Sequence, residues 1–301
     1  RTLRNIGEEP VIYDVNQAHQ SQSDLLAAMH NMGYMHASVQ LDTRTKGKKI
    51  TAAYTITPGQ AYFIDNVHYI IDDDSIANLL KIEQPNSKFH IAKGTKFSVD
   101  KLDNIRKRIS DYLLNSGFYR FNKDFIQFTV DSAANSQLLD VTLHLYPYRA
   151  YNDAPAVFHP RYKVGRIDYH TDNANGYLRR KIMLNNTALV KNDFFSEQKL
   201  QRTYNNFAKL GAVRYTNIQF EEVPDSQVLN TLIELTMNKP SSVSFQPEGT
   251  NTAGDLGAAV SLTYTNKNLF HGSELLSIEL RGAYEAIKGL EGYNDQNYKE
   301  Y

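Results

Sequence analysis

The stretch VDKLDNIRKRISDYLLNSGF, residues 99–118, decides the fold that we predict for this chain. Its apolar residues recur at steps of three and four, which is typical of an amphipathic helix, and Gly117 stands where such a helix would stop. Two stretches with period-two alternation follow, DFIQFTV at residues 124–130 and LDVTLHL at residues 139–145. Each predicts a strand with one buried face. Together they predict a helix packed on a hairpin.

The same order of helix, glycine stop and two strands occurs three times along the chain. The other copies are SDLLAAMHNMGY (23–34) with strands at 35–41 and 50–56, and SEQKLQRTYNNFAKLG (196–211) with strands at 214–220 and 229–235. We predict that Gly33, Gly117 and Gly211 each take the left-handed position that ends a helix, because glycine lacks a Cβ.

A further strand and a short helical piece precede the second and third long helices. They lie at residues 62–70 and 75–80, and at residues 162–169 and 177–184. The predicted unit is therefore β-α-α-β-β, a three-stranded sheet covered on one face by two helices, and the fold class is α+β. We assign a partial module to 1–58, modules to 59–150 and 158–239, and a linker with two strands to 240–301.

The last sixty residues carry a different pattern. Strands are predicted at residues 256–264 (LGAAVSLTY) and 274–284 (ELLSIELRGAY). One face of the first strand holds Leu256, Ala258, Val260, Leu262 and Tyr264, and small or polar residues alternate with them. Such segments of about ten residues are typical of transmembrane β-strands, although a soluble sandwich hairpin would look similar. Two strands cannot close a barrel, so we expect the remaining strands outside this sequence.

The composition excludes several classes of protein. The 301 residues contain 33 Lys plus Arg and 33 Asp plus Glu, so no net positive field would attract nucleic acid, and we predict no nucleic-acid partner. The chain has no cysteine, which excludes disulfides, thiolate metal sites and thiol catalysis. No run reaches the roughly 18 apolar residues that a transmembrane helix requires.

Motifs for catalysis or cofactor binding are missing from the sequence. The nine histidines lack metal-ligand spacing, and no phosphate loop, dinucleotide fingerprint or nucleophile elbow is present. The acidic run at residues 72–75 is either a cation site or, as we favour, the turn that enters a helix N-terminus. We predict no catalytic residue, no metal and no cofactor, and we expect that the chain is not an enzyme.

The combined pattern resembles the BamA/TamA family of outer-membrane assembly factors, which join POTRA modules to a membrane β-barrel. The resemblance is carried by the repeats, by the helix ends NMGY (31–34) and NSGF (115–118), and by the passage FQPEGTNTAGDLG (245–257). NLFHGSELL (268–276) and LRGAYE (280–285) resemble the opening barrel strands of Bacteroidetes members. NIGEEPVIY (5–13) resembles their TamA-like lipoprotein branch, TamL.

This resemblance implies a location in the outer membrane of a Gram-negative bacterium, with the modules in the periplasm. It implies nascent outer-membrane proteins as clients, outer-membrane lipid around the barrel, and a TamB-like inner-membrane-anchored protein or assembly lipoproteins as partners. The second strand of each module would be an exposed edge that takes up client strands. The residues concerned are Val39, Phe125, Gln127, Thr129, Asn217 and Gln219. The strand from Leu256 would be the first of the barrel, on the side of its lateral gate.

Three alternatives remain open from the sequence. A two-partner-secretion transporter would share modules and barrel but export one exoprotein. A non-enzymatic surface-binding module would have no barrel. An envelope enzyme would need a catalytic cluster outside these residues.

Overall fold

The chain forms two compact units in the computed structural model. The structure describes residues 12–132, 136–151, 153–172, 176–252, 255–287 and 296–300. Within these ranges, side chains are described everywhere except at 250–256, 285–287 and 296–300. Unit 1 comprises Arg1–Leu114 and Arg120–Pro160, and unit 2 comprises Asn115–Tyr119 and Arg161–Tyr301. The predicted first and second modules fall mainly in unit 1, and the third module and the C-terminal strands fall in unit 2.

The first module is one helix and one hairpin. Helix α1 spans Val15–Asn31, and the carboxylate of Asp14 caps it by accepting from its first N–H groups. Strands β1 (Ser38–Lys46) and β2 (Lys49–Thr57) form a two-stranded antiparallel sheet around a turn at Gly47. The helix begins eight residues before the predicted segment, which starts at residue 23. The earlier start is stabilised by Asp14, whose side chain accepts hydrogen bonds from the first turn of the helix.

The second module has the complete predicted order. It contains β3 (Phe63–Ile71), α2 (Asp74–Leu80), α3 (Val99–Leu114), a 3₁₀ turn (Lys123–Phe125), β4 (Ile126–Ser132) and β5 (Leu138–Leu145). The sheet order is β3-β5-β4, with β5 parallel to β3 and antiparallel to β4. The second strand of the module therefore lies at a sheet edge, as predicted.

The apolar stripe of α3 forms the core of this module. Leu102 packs in one cluster with Leu139 and Val141 of β5, and Ile109 and Leu113 further along the helix are fully buried. Burying a side chain of this size contributes about 1.5–3 kcal/mol. The acidic run at residues 72–75 enters α2, with Asp73 as the N-cap, which confirms the helix-cap interpretation.

Unit 2 repeats this topology in the third module. It contains β6 (Lys163–Thr171), α4 (Arg180–Asn186), α5 (Glu197–Ala208), β7 (Val213–Glu222) and β8 (Val228–Met237). The sheet order is β6-β8-β7, again with a parallel pair beside an antiparallel pair. Phe195, Phe207 and Ile233 are fully buried in its core.

The C-terminal part of unit 2 is an antiparallel sheet. Its strands are β9 (Ser241–Thr252), β10 (Asp255–Asn266), β11 (Leu276–Ile287) and β12 (Gln296–Glu300), in the order β12-β11-β10-β9. The sequence predicted a linker where β9 lies, and that part of the prediction is wrong. Pro247 and Gly249 interrupt its alternation, and both residues are tolerated in a strand that has a partner on one side only. The strand from Leu256 is thus the second of the sheet.

Two of the three predicted glycine stops are left-handed. Gly33 has φ +86° directly after the C-cap Met32, and Gly117 has φ +106°. Gly211 is not left-handed, and this prediction is wrong: α5 ends at Ala208 with Lys209 in the right-handed region, so the chain has left the helix before Gly211.

Phe125 was predicted on the edge strand but lies in the 3₁₀ turn before it, half-buried in an aromatic cluster. Its ring centroid is 4.7 Å from that of His159, and Phe121 and Tyr148 contact the same imidazole at 4.9 and 6.0 Å. Phe125 is therefore a half-buried residue of an aromatic cluster in unit 1, and its backbone lies before the edge strand β4.

His159 is a buried titratable group in this cluster. Its Nε2 donates to the carbonyl of Tyr146 at 2.9 Å, and its backbone N–H donates to Asp73 at 3.2 Å. Its Nδ1 is buried without a hydrogen-bond partner among the described residues. Burial lowers the pKa of His159, while the bond to Tyr146 and the charge of Asp73 act in the opposite direction. The imidazole is therefore neutral in the folded state at neutral pH.

We expect Gly33→Ala to lower the free energy of unfolding by about 2–4 kcal/mol. A methyl group there would lie 2.5 Å from the carbonyl oxygen of Phe97, in addition to the cost of the left-handed backbone. Gly47→Ala is the control, because Gly47 also has positive φ but no atom within 4 Å of such a methyl, and about 1 kcal/mol is expected. Equal losses in urea denaturation would contradict the packing account.

We expect unit 1 to lose stability as the pH falls below the ordinary histidine pKa of 6.5. Below that pH the unfolded chain binds a proton at His159 that the folded chain excludes, so stability falls by at most about 1.4 kcal/mol per pH unit. Above it both states are neutral and His159 contributes no slope. Thermal unfolding between about pH 7.5 and 5.5 measures this. His159→Gln should flatten the slope and the exposed His68→Gln should not; identical slopes in all three proteins would contradict the assignment.

Candidate functional site

Each complete module has two edge strands, and the first strand is partly covered. In the second module the N–H of Ile64 donates to Thr95 and its carbonyl accepts from Gly94. In the third module Val164 pairs in the same way with Asp193 and Asn192. The loop that precedes each long helix thus occupies the start of the β3 and β6 edges.

The β4 edge presents free backbone groups. The N–H of Tyr146 donates to the carbonyl of Phe125 at 2.8 Å, which fixes the alternation of the antiparallel pair. Residues 127 and 129 then point their backbone groups toward β5, and Phe128 and Val130 point theirs outward. No group in the described residues hydrogen-bonds these outward positions.

The β7 edge is similar, but one of its outward backbone groups is already hydrogen-bonded within the module. The N–H of Val223 donates to Val228, so the backbone groups of Thr216, Ile218 and Phe220 point outward by the same alternation. The outward N–H of Ile218 donates to the hydroxyl of Tyr204, from α5, at 3.2 Å. A side chain of the same module thus occupies the middle of this edge.

The predicted edge residues lie on β4 and β7, yet their backbone groups face inward. Gln127 and Thr129 expose their side chains on the open sheet face, and Asn217 and Gln219 both donate to the carboxylate of Glu234, at 2.9 and 3.1 Å. The residues that offer backbone groups are their neighbours, which the sequence analysis missed. Side-chain alternation is visible in a sequence, but the direction of each N–H depends on the strand register.

Val39 is less accessible to an added client strand than the sequence predicts. Its side chain is buried, and its carbonyl accepts from the side-chain amide of Gln22, in α1, at 2.7 Å. The helix of the first module therefore competes for this part of β1.

The C-terminal sheet has one exposed apolar face. The register places Val243 opposite Tyr264 and Tyr264 opposite Ile278, with Phe245, Leu262 and Leu280 in the next row. We name this surface the apolar band, and it consists of Val243, Phe245, Val260, Leu262, Tyr264, Ile278, Leu280 and Tyr284, all exposed. Ala258, also predicted on this face, is exposed as well, and the side chain of Leu256 lies outside the described residues.

The opposite face of the sheet is polar and partly covered. Arg281 reaches Glu248 at 3.5 Å across the strand between them, and Ala259 and Ser261 are buried on this side. The predicted alternation between an apolar and a polar face is therefore present in three-dimensional register as well as in sequence.

The loop between β10 and β11 is fixed to the third module. The carboxylate of Glu274 forms an ion pair with Arg179 at 2.8 Å, and the Arg179 N–H donates to the carbonyl of His271 at 2.8 Å. The His271 ring stacks on Tyr177 at 4.1 Å. Hydrogen bonds from the backbone of Glu274 itself and of nearby loop residues, with the Arg179 charge, lower the pKa of Glu274. The loop and module thus form one ordered contact within unit 2.

Every helix among the described residues is too short or too polar to span a bilayer. The described residues also contain no group of three or more His, Asp or Glu that could hold a metal ion.

Comparison with known proteins gives structural similarity only. No family model matches the chain, and no curated protein matches its sequence. Haemophilus influenzae BamA POTRA3-5 aligns over 76% of this chain and 84% of its own, at 11% identity and a TM-score of 0.42. BamA from Haemophilus ducreyi lacking POTRA domains 1-3 aligns over 75% at 14% identity and a TM-score of 0.46, and this chain spans only 43% of its length. POTRA1-3 of the periplasmic domain of Omp85 from Anabaena aligns over 78% of this chain and 87% of its own, at 12% identity and a TM-score of 0.27.

Proposed function

We propose that this chain belongs to an outer-membrane protein assembly factor, in which periplasmic modules receive unfolded polypeptide by strand addition and pass it to a membrane-inserted sheet. The clients would be nascent outer-membrane proteins, and the role is non-enzymatic. The observation that carries the proposal is that the second strand lies at a sheet edge in both complete modules, with outward backbone groups unpaired on β4 and partly occupied on β7.

The chemistry of such an edge suits this role. An unpaired strand offers alternate N–H and C=O groups, which any extended polypeptide can satisfy, so binding demands little of the client sequence. Phe128 and Val130 supply these groups on β4, and Thr216 and Phe220 supply them on β7. Under this proposal, strand pairing and burial in lipid would supply the driving force.

The apolar band supports insertion of the C-terminal sheet in lipid. Strand β10 has 12 residues, and a strand of about 9–11 residues, tilted by about 45°, crosses the apolar layer of an outer membrane. Open edges in lipid are costly, so β9 and β12 would pair with further strands. In that arrangement β9, rather than the strand from Leu256, would stand at the lateral gate and template incoming strands.

The finer identity rests on sequence resemblance. The segment at residues 5–13 favours the TamL branch, for which a TamB-like inner-membrane-anchored protein would be the partner, and assembly lipoproteins would be partners in general barrel assembly. These residues lie outside the part of the chain that the structure describes. Location in the outer membrane of a Gram-negative bacterium, with the modules in the periplasm, is part of the same proposal.

Val130→Pro should weaken client capture at the β4 edge by about fivefold or more, because it removes an outward N–H worth about 1 kcal/mol and leaves the inward ladder intact. Capture is measured in cells with a photocrosslinking amino acid at Gln127, whose side chain is exposed beside the edge. Val130→Ala keeps the N–H and is the matched control. Crosslinking from Gln219 reports β7 in the same cells.

The captured proteins decide between the alternatives. Many outer-membrane proteins, or an inner-membrane-anchored partner, are the expected result, and a single secreted protein would favour a two-partner-secretion transporter. Equal crosslinking in the proline and alanine variants, with both proteins folded, would sink the edge mechanism for β4.

Leu280→Arg should prevent membrane association of the C-terminal sheet, since an arginine at the centre of a lipid-facing strand costs about 2–4 kcal/mol. Ser277→Arg lies on the opposite face of the same strand and is the charge-matched control. Flotation with neutral phosphatidylcholine vesicles measures the difference. If both variants float as the parent does, the apolar band does not face lipid.

A further inference from the structure

A basic cleft lies where the third module joins the C-terminal sheet. Its volume is about 350 Å³ and it lies among the start of β7, the connection from β8 to β9, and the residue that follows β10. Its charged lining residues are Arg214, Lys239 and Lys267, and the polar ones include Ser241 and Ser242. The three cations come from positions far apart in the sequence, so only the fold brings them together.

Backbone and amide hydrogen bonds fix the three segments against one another. The side-chain amide of Asn238 donates to the carbonyls of Gly211 at 2.9 Å and Val213 at 3.2 Å, which holds the β8–β9 connection to the start of β7. The N–H of Lys267 donates to the carbonyl of Pro240 at 2.8 Å. The three segments that form the cleft walls are therefore held together by hydrogen bonds of the protein itself.

The charges in the cleft are of one sign. No carboxylate lines it, and within the described residues none of its three cations forms an ion pair. Asp172 reaches the backbone N–H of Met237 at 2.8 Å but is not a lining residue. Arg214 and Lys239 are exposed and Lys267 is half-buried. Three like charges held close together repel one another, and an anion between them removes that cost.

The cleft lies at one end of the apolar band. Ser241 precedes Val243 by two residues on β9, and Lys267 follows Tyr264 by three residues at the end of β10. An apolar surface that ends in tyrosine and then in cations matches the order of a lipid leaflet, from acyl chain through interface to phosphate.

We propose that this cleft binds a phosphate group, with Arg214 as a two-pronged donor and the two lysines as point charges. Its position beside the apolar band favours the phosphate of a lipid headgroup, and this source rests on the proposed membrane placement of the sheet. Binding of the phosphate group itself depends only on the cleft.

The test uses the full chain and its variant R214Q/K239Q/K267Q. Flotation with vesicles of phosphatidylcholine alone and of phosphatidylcholine with phosphatidylglycerol measures the preference for anionic lipid. The parent should prefer the anionic vesicles, and the variant should lose that preference on the order of a hundredfold, at about fivefold per cation. The control removes the same charge from exposed residues of α3, as K101Q/K107Q/R108Q. Circular dichroism and thermal unfolding check folding, and K267Q alone serves if the triple variant is unstable.

Calorimetric titration with inorganic phosphate separates the two sources. Phosphate binding that the variant loses, without any preference for anionic vesicles, assigns the cleft to a free phosphate and overturns the lipid source. A preference for anionic vesicles that the control loses as much as the variant overturns the site, as does a variant that behaves like the parent with both probes.

Neutral vesicles keep this inference distinct from the proposed function. Binding to them depends on the apolar band, whereas the gain on adding phosphatidylglycerol depends on the cleft. Loss of neutral binding in L280R with an intact phosphate titration would separate the band from the cleft.

Discussion

The parallel pairing of the first and third strands governs the rest of each module. A parallel neighbour requires a crossover, and here two helices supply it, so both helices cover one face of the sheet. The second strand then joins the third as a hairpin and has no neighbour beyond it. The third strand is hydrogen-bonded on both sides, while the second has no strand on its outer side, although Ile218 of β7 bonds Tyr204 there. The free edge is therefore a product of the chain order, and it recurs wherever the order recurs.

The sequence predicts the helices and the hairpins well because their signals are local. The stripe from Leu102 to Leu113 forms the buried face of α3, and serine or aspartate side chains cap α1, α2, α3 and α5 but not α4. Predictions failed where a tertiary contact decided the conformation. Phe125 packs in an aromatic cluster around His159. The prediction for Gly211 failed for a different reason, because α5 ends at Ala208, before the glycine is reached. β9 was not predicted because Pro247 and Gly249 interrupt its alternation of apolar and polar residues. β9 tolerates both residues because it pairs with β10 on one side only.

The predicted edge residues of the complete modules lie mainly on the edge strands β4 and β7, but the residues whose backbone groups point outward are their neighbours. Side chains on β4 and β7 alternate with a period of two, and the sequence shows which of them are polar. Hydrogen-bonding direction also alternates with a period of two, but its phase is set by a single pairing, such as that of Phe125 with Tyr146. The hydrogen bond from the N–H of Ile218 to the hydroxyl of Tyr204 could not be predicted either, because Tyr204 lies on a helix that contacts β7 only in the folded module. The basic cleft belongs to the same class, since its cations come together only after three segments have packed.

The contact between the β10–β11 loop and the third module has a mechanical consequence. The ion pair of Arg179 with Glu274 and the stacking of His271 on Tyr177 hold the loop against the start of α4. The hydroxyl of Ser273, in the same loop, accepts from the N–H of Ala212, the residue before β7. One loop is therefore attached both to the helical side of the third module and to the start of its edge strand, and these attachments restrict rotation of the C-terminal sheet against β7. Under the proposed function, a polypeptide aligned along β7 would meet the sheet within a limited range of angles.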